Sequence, residues 1–137
     1  MTVVKSPVEV VLLAFLDGNR ILLNRRADAA GEMWEIIGGG IEKDELPIEA
    51  ICREVQEEIG YALGEKDNLR QIKKFRFKSN KLTANVSLFA AIFPGLQAFS
   101  DSDETFVSDL KLFSFEDALN LTLLPITYEI IAKNYLS

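Results

Sequence analysis

The most informative part of the chain runs from Gly39 to Tyr61 and reads GGIEKDELPIEAICREVQEEIGY. Five residues separate Gly39 from Glu45, and seven more separate Glu45 from Arg53, which opens the run REVQEEIGY. An ordinary acidic amphipathic helix would account for several of these glutamates. It would not account for the glycines and the arginine at their fixed spacing, so the pattern indicates a functional site.

A helix is predicted across the centre of this stretch. Pro47 suits the first helical turn, where a missing backbone N–H costs little. Gly60 suits the C-terminal cap, where the left-handed conformation is easiest for glycine. Apolar residues recur at helical spacing between these two positions and are expected to face the core. They are Ile48, Ile51, Val55 and Ile59.

Three glutamates of this helix, Glu54, Glu57 and Glu58, form what we call the glutamate trio. They lie three or four positions apart or side by side, so their carboxylates share one face of the helix. Adjacent like charges are unfavourable unless a cation or a proton neutralises them. Mg²⁺ takes oxygen ligands and engages substrate phosphates, so the trio is predicted to hold Mg²⁺, with Mn²⁺ as a substitute. For a trio taken alone, a solvated acidic face is the alternative.

The whole stretch resembles the Nudix box, Gly-x5-Glu-x7-Arg-Glu-U-x-Glu-Glu-x-Gly-U, and every fixed letter matches. The resemblance implies a MutT-like Nudix hydrolase with an α/β/α sandwich, a mixed sheet and the box (39–61) as loop, helix and loop. Three positions depart from the common family pattern. Ile37 replaces a frequent proline, Asp44 replaces a frequent glycine, and Tyr61 replaces an aliphatic residue. None of these departures removes a metal ligand, so they bear on loop geometry.

The resemblance also assigns roles to box residues that carry no metal. The box arginine of the family is structural, which implies that Arg53 pairs with Glu45 and fixes the loop that enters the helix. The Gly38 carbonyl would be a metal ligand in addition to the glutamate trio. The glycine run at 38–40 allows a tight turn and a close backbone approach to metal or phosphate.

The proton acceptor for the attacking water has several candidates. Family members differ over which glutamate is the base, so Glu57 or Glu58 and Glu104 all stay open. Glu104 lies in an acidic loop where many relatives place a further metal-binding or base glutamate. Asp101 and Asp103 compete with it for that role, and a simply solvated loop is the alternative.

Two residues outside the box are candidate substrate contacts by resemblance to bacterial MutT-type nucleoside triphosphate pyrophosphohydrolases. In the segment NRRADAA (24–30), the second arginine would contact the nucleotide, which makes Arg26 a candidate. A surface arginine at a strand end is the alternative. Thr127 falls where a base-reading asparagine sits, and its single hydroxyl argues against strict guanine recognition. Capping of the closing helix is the rival role for Thr127.

Composition excludes several classes of protein. The 137 residues, 48% of them hydrophobic, predict one domain over 1–137. The apolar runs are too short for a membrane span or a signal peptide, and Cys52 is a lone cysteine, so the cytoplasm is the expected compartment. The absence of histidine excludes histidine-based triads and histidine-ligated zinc. A net charge of −6 argues against nucleic-acid binding. The expected partner is a small nucleotide, bound by a monomer or a homodimer.

The rest of the chain predicts strands and helices around the box, which fits a mixed sheet with helices packed on its faces. The predicted strands are Val8–Leu16, Arg20–Arg25, Leu69–Lys78, Leu82–Phe93 and Leu110–Phe113. The predicted helices outside the box are Phe115–Leu121 and Pro125–Leu136, and the predicted loops are Ala27–Met33 and Pro94–Phe106.

The predicted reaction is Mg²⁺-dependent hydrolysis of a nucleoside diphosphate linked to another group, foremost a nucleoside triphosphate cleaved to monophosphate and pyrophosphate. ADP-ribose hydrolases of the family often carry a proline where this chain has Arg76. ADP-ribose or a nucleotide sugar is the alternative substrate. A non-catalytic, nucleotide-sensing Nudix domain is the alternative of another class. Such domains typically lose box glutamates, whereas this chain keeps them.

Overall fold

The most apolar stretch of the chain forms the central strand of the sheet. In the computed structural model, which describes residues 6–28 and 31–137, β1 (Val8–Asp17) is buried throughout 11–15. It pairs in parallel with β6 (Thr83–Ile92). A strand covered on both faces is expected to be a continuous hydrophobic run rather than an alternating one. These two strands therefore set the middle of the fold.

Seven strands form one mixed sheet. They are β1 (Val8–Asp17), β2 (Arg20–Asp28), β3 (Gly31–Glu35), β4 (Ile37–Gly40), β5 (Arg70–Lys78), β6 (Thr83–Ile92) and β7 (Leu110–Ser114). The order across the sheet is β3-β2-β1-β6-β5, while β4 pairs with β1 and β7 pairs with β2. The β1–β6 pairing is parallel and the others are antiparallel. The predicted mixed sheet is confirmed.

Helices cover both faces of this sheet. Alternate side chains of β1 point to opposite faces, and they join two separate core clusters. The first cluster contains Val11 and the buried stripe of α1 (Pro47–Ile59). The second contains Leu12 together with residues of α2 (Phe115–Ala118) and α3 (Pro125–Ala132). These three layers confirm the predicted α/β/α sandwich.

The structure corrects part of the predicted loop Ala27–Met33. Residues 29 and 30 lie outside the described residues, but Gly31–Glu35 is strand β3 rather than loop. The strand forms because its backbone pairs with β2, with Asn24 opposite Glu35. Such pairing satisfies backbone groups without requiring apolar side chains, so small and polar residues can form a strand there.

Three helix predictions also need correction. The helix predicted over Phe115–Leu121 ends at Ala118. The closing helix ends at Ala132 rather than Leu136, and the chain then reaches Asn134 with a left-handed φ of 57°. That conformation cannot continue a right-handed helix. Ile48 is 48% exposed, although its spacing matches the buried stripe. It lies in the first turn of α1 beside the exposed Leu46, at the rim of the core.

The helices in the described part of the chain are short, since α1 has 13 residues and α3 has 8. Within the described residues, no helix is both long enough and apolar enough to cross a bilayer. The cytoplasmic location and the single domain over 1–137 stay predictions.

Candidate active site

Arg53 anchors the loop that leads into α1. Its Nε donates to Glu45 Oε2 at 2.7 Å, and its Nη2 donates to Glu45 Oε1 at 2.9 Å. The same Nη2 donates to the Gly40 carbonyl at 2.9 Å, and Glu45 also accepts the Glu42 backbone N–H at 2.9 Å. A two-point contact between planar groups fixes orientation as well as distance. The structure therefore contains the predicted Arg53–Glu45 pair, which ties the loop to the helix.

This pairing determines what Glu45 can do. The hydrogen bond from Arg53 lowers the pKa of the Glu45 carboxyl to about 2. The same hydrogen bond raises the pKa of Arg53 above its ordinary value. Both partners remain charged at neutral pH and engage each other. Glu45 and Arg53 therefore act on the site by positioning the loop, and Glu45 is not available to accept a proton.

The same guanidinium also contacts two members of the glutamate trio. Arg53 Nη1 donates to Glu54 Oε1 at 3.0 Å and to Glu57 Oε2 at 3.2 Å. The Glu54 side chain is 15% exposed, whereas that of Glu57 is 59% exposed. The Glu54 carboxylate lies directly against Gly39, where an added Cβ would come within 2.5 Å of it. Any side chain at this position would therefore displace the Glu54 carboxylate from its observed place.

Gly38 is required by the close pairing of β4 with β1. It lies opposite Leu12 in the antiparallel register. An added Cβ would lie 2.1 Å from the Val11 carbonyl oxygen and 2.9 Å from the Leu12 Cα. Because both of these atoms belong to the backbone of the central strand, neither can move aside. Gly38 lines the same cavity as Glu58, which brings two of the predicted metal ligands together.

The glutamate trio opens into a cavity of about 430 Å³, which we call the acidic end of the cleft. Burial, followed by the charge of Glu54 and then of other nearby carboxylates, raises the pKa of Glu58 to about 8. The carboxylates of this cluster repel one another, so a bound cation would stabilise their ionised forms. The lining residues of the acidic end are Glu54, Glu57, Glu58, Ser102, Asp103 and Glu104.

The loop after β6 brings Glu104 to the trio. The Ser100 N–H donates to the Ile59 carbonyl at 2.8 Å, which fastens the middle of this loop to the end of α1. Asp101 accepts the Val107 N–H at 2.8 Å, so its carboxylate closes the loop itself. Of the three acidic candidates in this loop, Asp103 and Glu104 line the acidic end, whereas Asp101 does not.

The cleft continues from Glu58 and Glu104 into a second cavity of about 610 Å³, which we call the arginine end. The lining comes from β2, β3, β4, the end of α1 and the segment before β7. The residues of β2 and β3 are brought to it by strand pairing, and of these only Arg26 was a predicted site residue. The lining residues are Asn24, Arg25, Arg26, Glu35, Gly38, Glu58, Glu104, Thr105, Phe106 and Asp109.

The predicted substrate contact Arg26 lies in the arginine end. Its Nη1 donates to Glu35 Oε2 at 3.2 Å, and its side chain is 54% exposed. The neighbouring Arg25 donates from Nη2 to Asp109 Oδ1 at 2.5 Å and from Nε to the same atom at 3.1 Å. Sequence analysis missed Arg25 as a lining residue, although the adjacent pair of arginines was the signal that could have included it.

The structure does not bring Thr127 to the cleft. Thr127 is 1% exposed, and its Oγ1 accepts the Ile36 backbone N–H at 3.2 Å. The N-cap of α3 is Leu124, which has no side-chain cap, so the alternative capping role is wrong. The buried hydroxyl joins α3 to the link between β3 and β4. Its burial corrects the expectation that Thr127 contacts the substrate.

Comparison with known proteins identifies the family. The NUDIX domain profile matches residues 5–133. The chain belongs to the NUDIX family. The fold resembles the MutT NUDIX hydrolase of Burkholderia pseudomallei, with 23% identity, a TM-score of 0.71, and coverage of 97% of this chain and 100% of that chain. The predicted Nudix family and fold are confirmed.

Two further similar proteins are named for different activities. A bifunctional NMN adenylyltransferase/ADP ribose pyrophosphatase from Francisella tularensis has 24% identity and a TM-score of 0.73, over 96% of this chain and 41% of that chain. An RNA pyrophosphohydrolase from Gluconacetobacter diazotrophicus has 46% identity over 48 residues, which are 30% of this chain. That match spans 29% of the relative's own length. The family is therefore settled more firmly than the substrate.

Nudix hydrolases generally depend on divalent metals, and the donor chemistry of this site fits such an ion. The acidic end presents carboxylate oxygens, the ligands that Mg²⁺ prefers. Across residues 6–28 and 31–137, no group of three or more acidic or cysteine side chains is arranged so that it could hold a metal ion by itself. An open set of donors suits Mg²⁺, because this ion keeps several waters and uses substrate phosphates as further ligands.

Proposed function

We propose that this protein is a Nudix pyrophosphohydrolase that converts a nucleoside triphosphate into a nucleoside monophosphate and pyrophosphate with Mg²⁺. The observation that carries the proposal is the continuity of the cleft. Glu58 and Glu104 line both ends, so the acidic end and the arginine end form one path for a ligand. A phosphate chain with its cation fits the acidic end, and the nucleoside fits the arginine end.

The glutamate trio, together with the Gly38 carbonyl, would hold the divalent ion in this proposal. The bound ion would neutralise phosphate charge and activate water for attack on phosphorus. The protein supplies the donor atoms and their positions. Gly39 leaves room for the Glu54 carboxylate, while Arg53 orients Glu54 and Glu57 through one guanidinium nitrogen.

The general base that accepts the proton of the attacking water would be a carboxylate that lines both ends of the cleft. Glu58 and Glu104 meet that condition because both line both cavities. Glu57 lines only the acidic end, and its carboxylate already accepts a hydrogen bond from Arg53. A general base must lie within hydrogen-bond reach of the proton that it accepts. We therefore favour Glu58 or Glu104 as the base over Glu57.

ADP-ribose or a nucleotide sugar is the second candidate substrate. At about 610 Å³, the arginine end is the larger of the two cavities, which favours a ligand with a second sugar. The similarity to the bifunctional enzyme with ADP ribose pyrophosphatase activity agrees with this possibility at the level of fold. The two candidates share the phosphate chemistry at the acidic end and differ in the leaving group.

A substrate panel with product identification tests the proposal. It compares kcat/KM for the (d)NTPs, 8-oxo-dGTP, ADP-ribose and nucleotide sugars with Mg²⁺ or Mn²⁺, and chromatography resolves the products. We expect turnover of nucleoside triphosphates to monophosphate and pyrophosphate. A clear preference for ADP-ribose, with release of AMP and ribose 5-phosphate, would establish the second candidate. No turnover of any compound would favour a nucleotide-sensing role.

A further inference from the structure

Asn24 carries a buried polar atom without a partner. Its Oδ1 is the one buried side-chain nitrogen or oxygen atom in the described part of the chain that lacks a hydrogen bond. Buried polar groups in folded proteins are nearly always paired, because leaving one unpaired costs free energy. Asn24 itself lines the arginine end of the cleft, so a molecule bound there can supply the missing donor.

Strand register fixes Asn24 at this place. In β2 it lies opposite Glu35 of β3 on one side and Leu110 of β7 on the other. It occupies the same strand parity as Leu22, which belongs to the core cluster that α1 covers. Asn24 is therefore held between two paired strands at the arginine end.

The nearby cationic side chains pair with carboxylates. Arg25 donates to Asp109 at 2.5 Å, and Arg26 donates to Glu35 at 3.2 Å. The wall around Asn24 thus offers an acceptor, and a ligand must bring a donor to satisfy it. Phosphate oxygens are acceptors and cannot do so, whereas the amino group of a nucleobase can.

An aromatic ring lies on the same cavity. Phe106 is 50% exposed and lines the arginine end. An exposed aromatic ring offers a stacking surface for any nucleobase, since every base has a π-face. Stacking alone discriminates poorly between bases, whereas a hydrogen bond to a buried acceptor discriminates between bases that carry a donor and bases that lack one.

We propose that Asn24 is a specificity-determining residue whose Oδ1 accepts a hydrogen bond from the exocyclic amino group of the substrate's base. The inference rests on the proposed function in one respect, namely that the cleft binds a nucleotide. Phe106 provides the surface against which the base stacks. The enzyme accordingly prefers nucleotides whose base carries an amino group over analogues in which hydrogen replaces it.

Binding of nucleoside monophosphates tests this inference without hydrolysis. Calorimetry with Mg²⁺ compares three pairs that differ by one amino group: AMP with purine riboside monophosphate, CMP with 2-pyrimidinone riboside monophosphate, and GMP with IMP. We expect the wild-type protein to prefer the amino-bearing member of at least one pair by about 10- to 100-fold. Asn24→Leu, which keeps the volume but removes the acceptor, should reduce that ratio to near unity.

Two further variants make the test specific. Asn85→Leu changes a half-buried strand asparagine that lines a different cavity, so it should leave the ratio unchanged. Asn24→Ala removes the acceptor with a smaller side chain, and it replaces Asn24→Leu if that variant does not fold. Melting temperatures identify the variants that are folded.

Several results would overturn the inference. One is that the wild-type protein binds no monophosphate or binds both members of every pair equally well. Another is that Asn24→Leu lowers the affinity for both members of a pair by the same factor. A change in the preference for ribose over 2′-deoxyribose, in place of the amino preference, would assign Asn24 to the sugar instead. Amino-selective binding without triphosphate turnover would support the role of Asn24 and contradict the proposed triphosphate substrate. Turnover without amino selectivity would do the reverse.

Discussion

The guanidinium of Arg53 and the carboxylate of Glu45 form a two-point pair, with nitrogen–oxygen distances of 2.7 and 2.9 Å. Arg53 lies on α1, whereas Glu45 lies in the loop before that helix. Because Arg53 also donates to Glu54 and Glu57, the entering loop and the acidic end of the cleft share one hydrogen-bond network. A change in the pair should therefore affect stability first and catalysis second.

Glu45→Gln should lower the melting temperature of the protein. The substitution keeps the size of the side chain but replaces one charged acceptor of Arg53 with an amide, which weakens a two-point ionic contact. Glu42→Gln is the matched control, because the Glu42 side chain is 67% exposed and lies 3.7 Å from Arg53. Equal melting temperatures for the Glu45 and Glu42 variants would contradict the structural role of Glu45.

The contribution of Glu45 to stability should depend on pH. Its folded-state pKa of about 2 lies below the ordinary value of 4.5. Ionised Glu45 therefore stabilises the folded state fully when the pH is above 4.5. That stabilisation should be lost as pH falls from about 4.5 towards about 2. The difference in melting temperature between wild type and Glu45→Gln, measured from pH 7 downwards, should therefore shrink on acidification. A difference that stays constant over this range would disprove the linkage.

Glu57→Gln should reduce hydrolysis by a factor of about 10² or more while the fold survives. The variant removes one negative charge from the glutamate trio at a side chain that is 59% exposed, so packing is little changed. Glu116→Gln serves as the control, because Glu116 is an exposed glutamate of α2 outside the lining of the cleft. Near-normal turnover by a folded Glu57→Gln protein would remove Glu57 from the site.

Gly39→Ala should weaken both Mg²⁺ binding and turnover. An added Cβ would lie 2.5 Å from the Glu54 carboxylate and force it to move. Gly64→Ala is the control, since an added Cβ there has no neighbour within 4 Å. Titration with Mg²⁺ and steady-state kinetics would measure the two effects. Full activity in Gly39→Ala would show that the observed position of Glu54 is not needed.

Glu104→Gln should lower kcat by about 10²-fold if Glu104 is the general base, with a smaller change in KM. Asp103→Asn is the closest comparison, because Asp103 lines the acidic end but not the arginine end. A large loss in Asp103→Asn with none in Glu104→Gln would move the role to Asp103. Loss in neither variant would leave Glu58 as the favoured base.

Local spacing made much of this site predictable. The helix and its acidic face follow from residues fewer than ten positions apart, where helical geometry determines which side chains lie together. The Arg53–Glu45 pair was implied by the resemblance to the Nudix box. The arginine end depends instead on the register of β2 with β3 and β7. A slip of one residue would turn Asn24 and Arg26 to the opposite face. The sequence alone does not specify that register, so Asn24 was not singled out.

Burial was the other quantity that sequence patterns could not supply. Thr127 matches a family position by alignment of short segments, yet its hydroxyl is used inside the protein by the Ile36 N–H. Ile48 has the spacing of a core residue but lies in the first turn of α1. In both cases the outcome depends on which neighbouring element covers the residue, and that is a property of the assembled fold.

The hydrogen bond from the Ser100 N–H to the Ile59 carbonyl has a consequence for protein engineering. It joins the two walls of the acidic end directly, although 40 residues of chain separate them. The hairpin of β5 and β6 leaves and returns between these two points, and its exposed tip at Ser79–Lys81 lies outside the lining of the cleft. The tip is thus a suitable place to insert a reporter peptide or an affinity tag, since its length can change without moving Glu58 relative to Glu104.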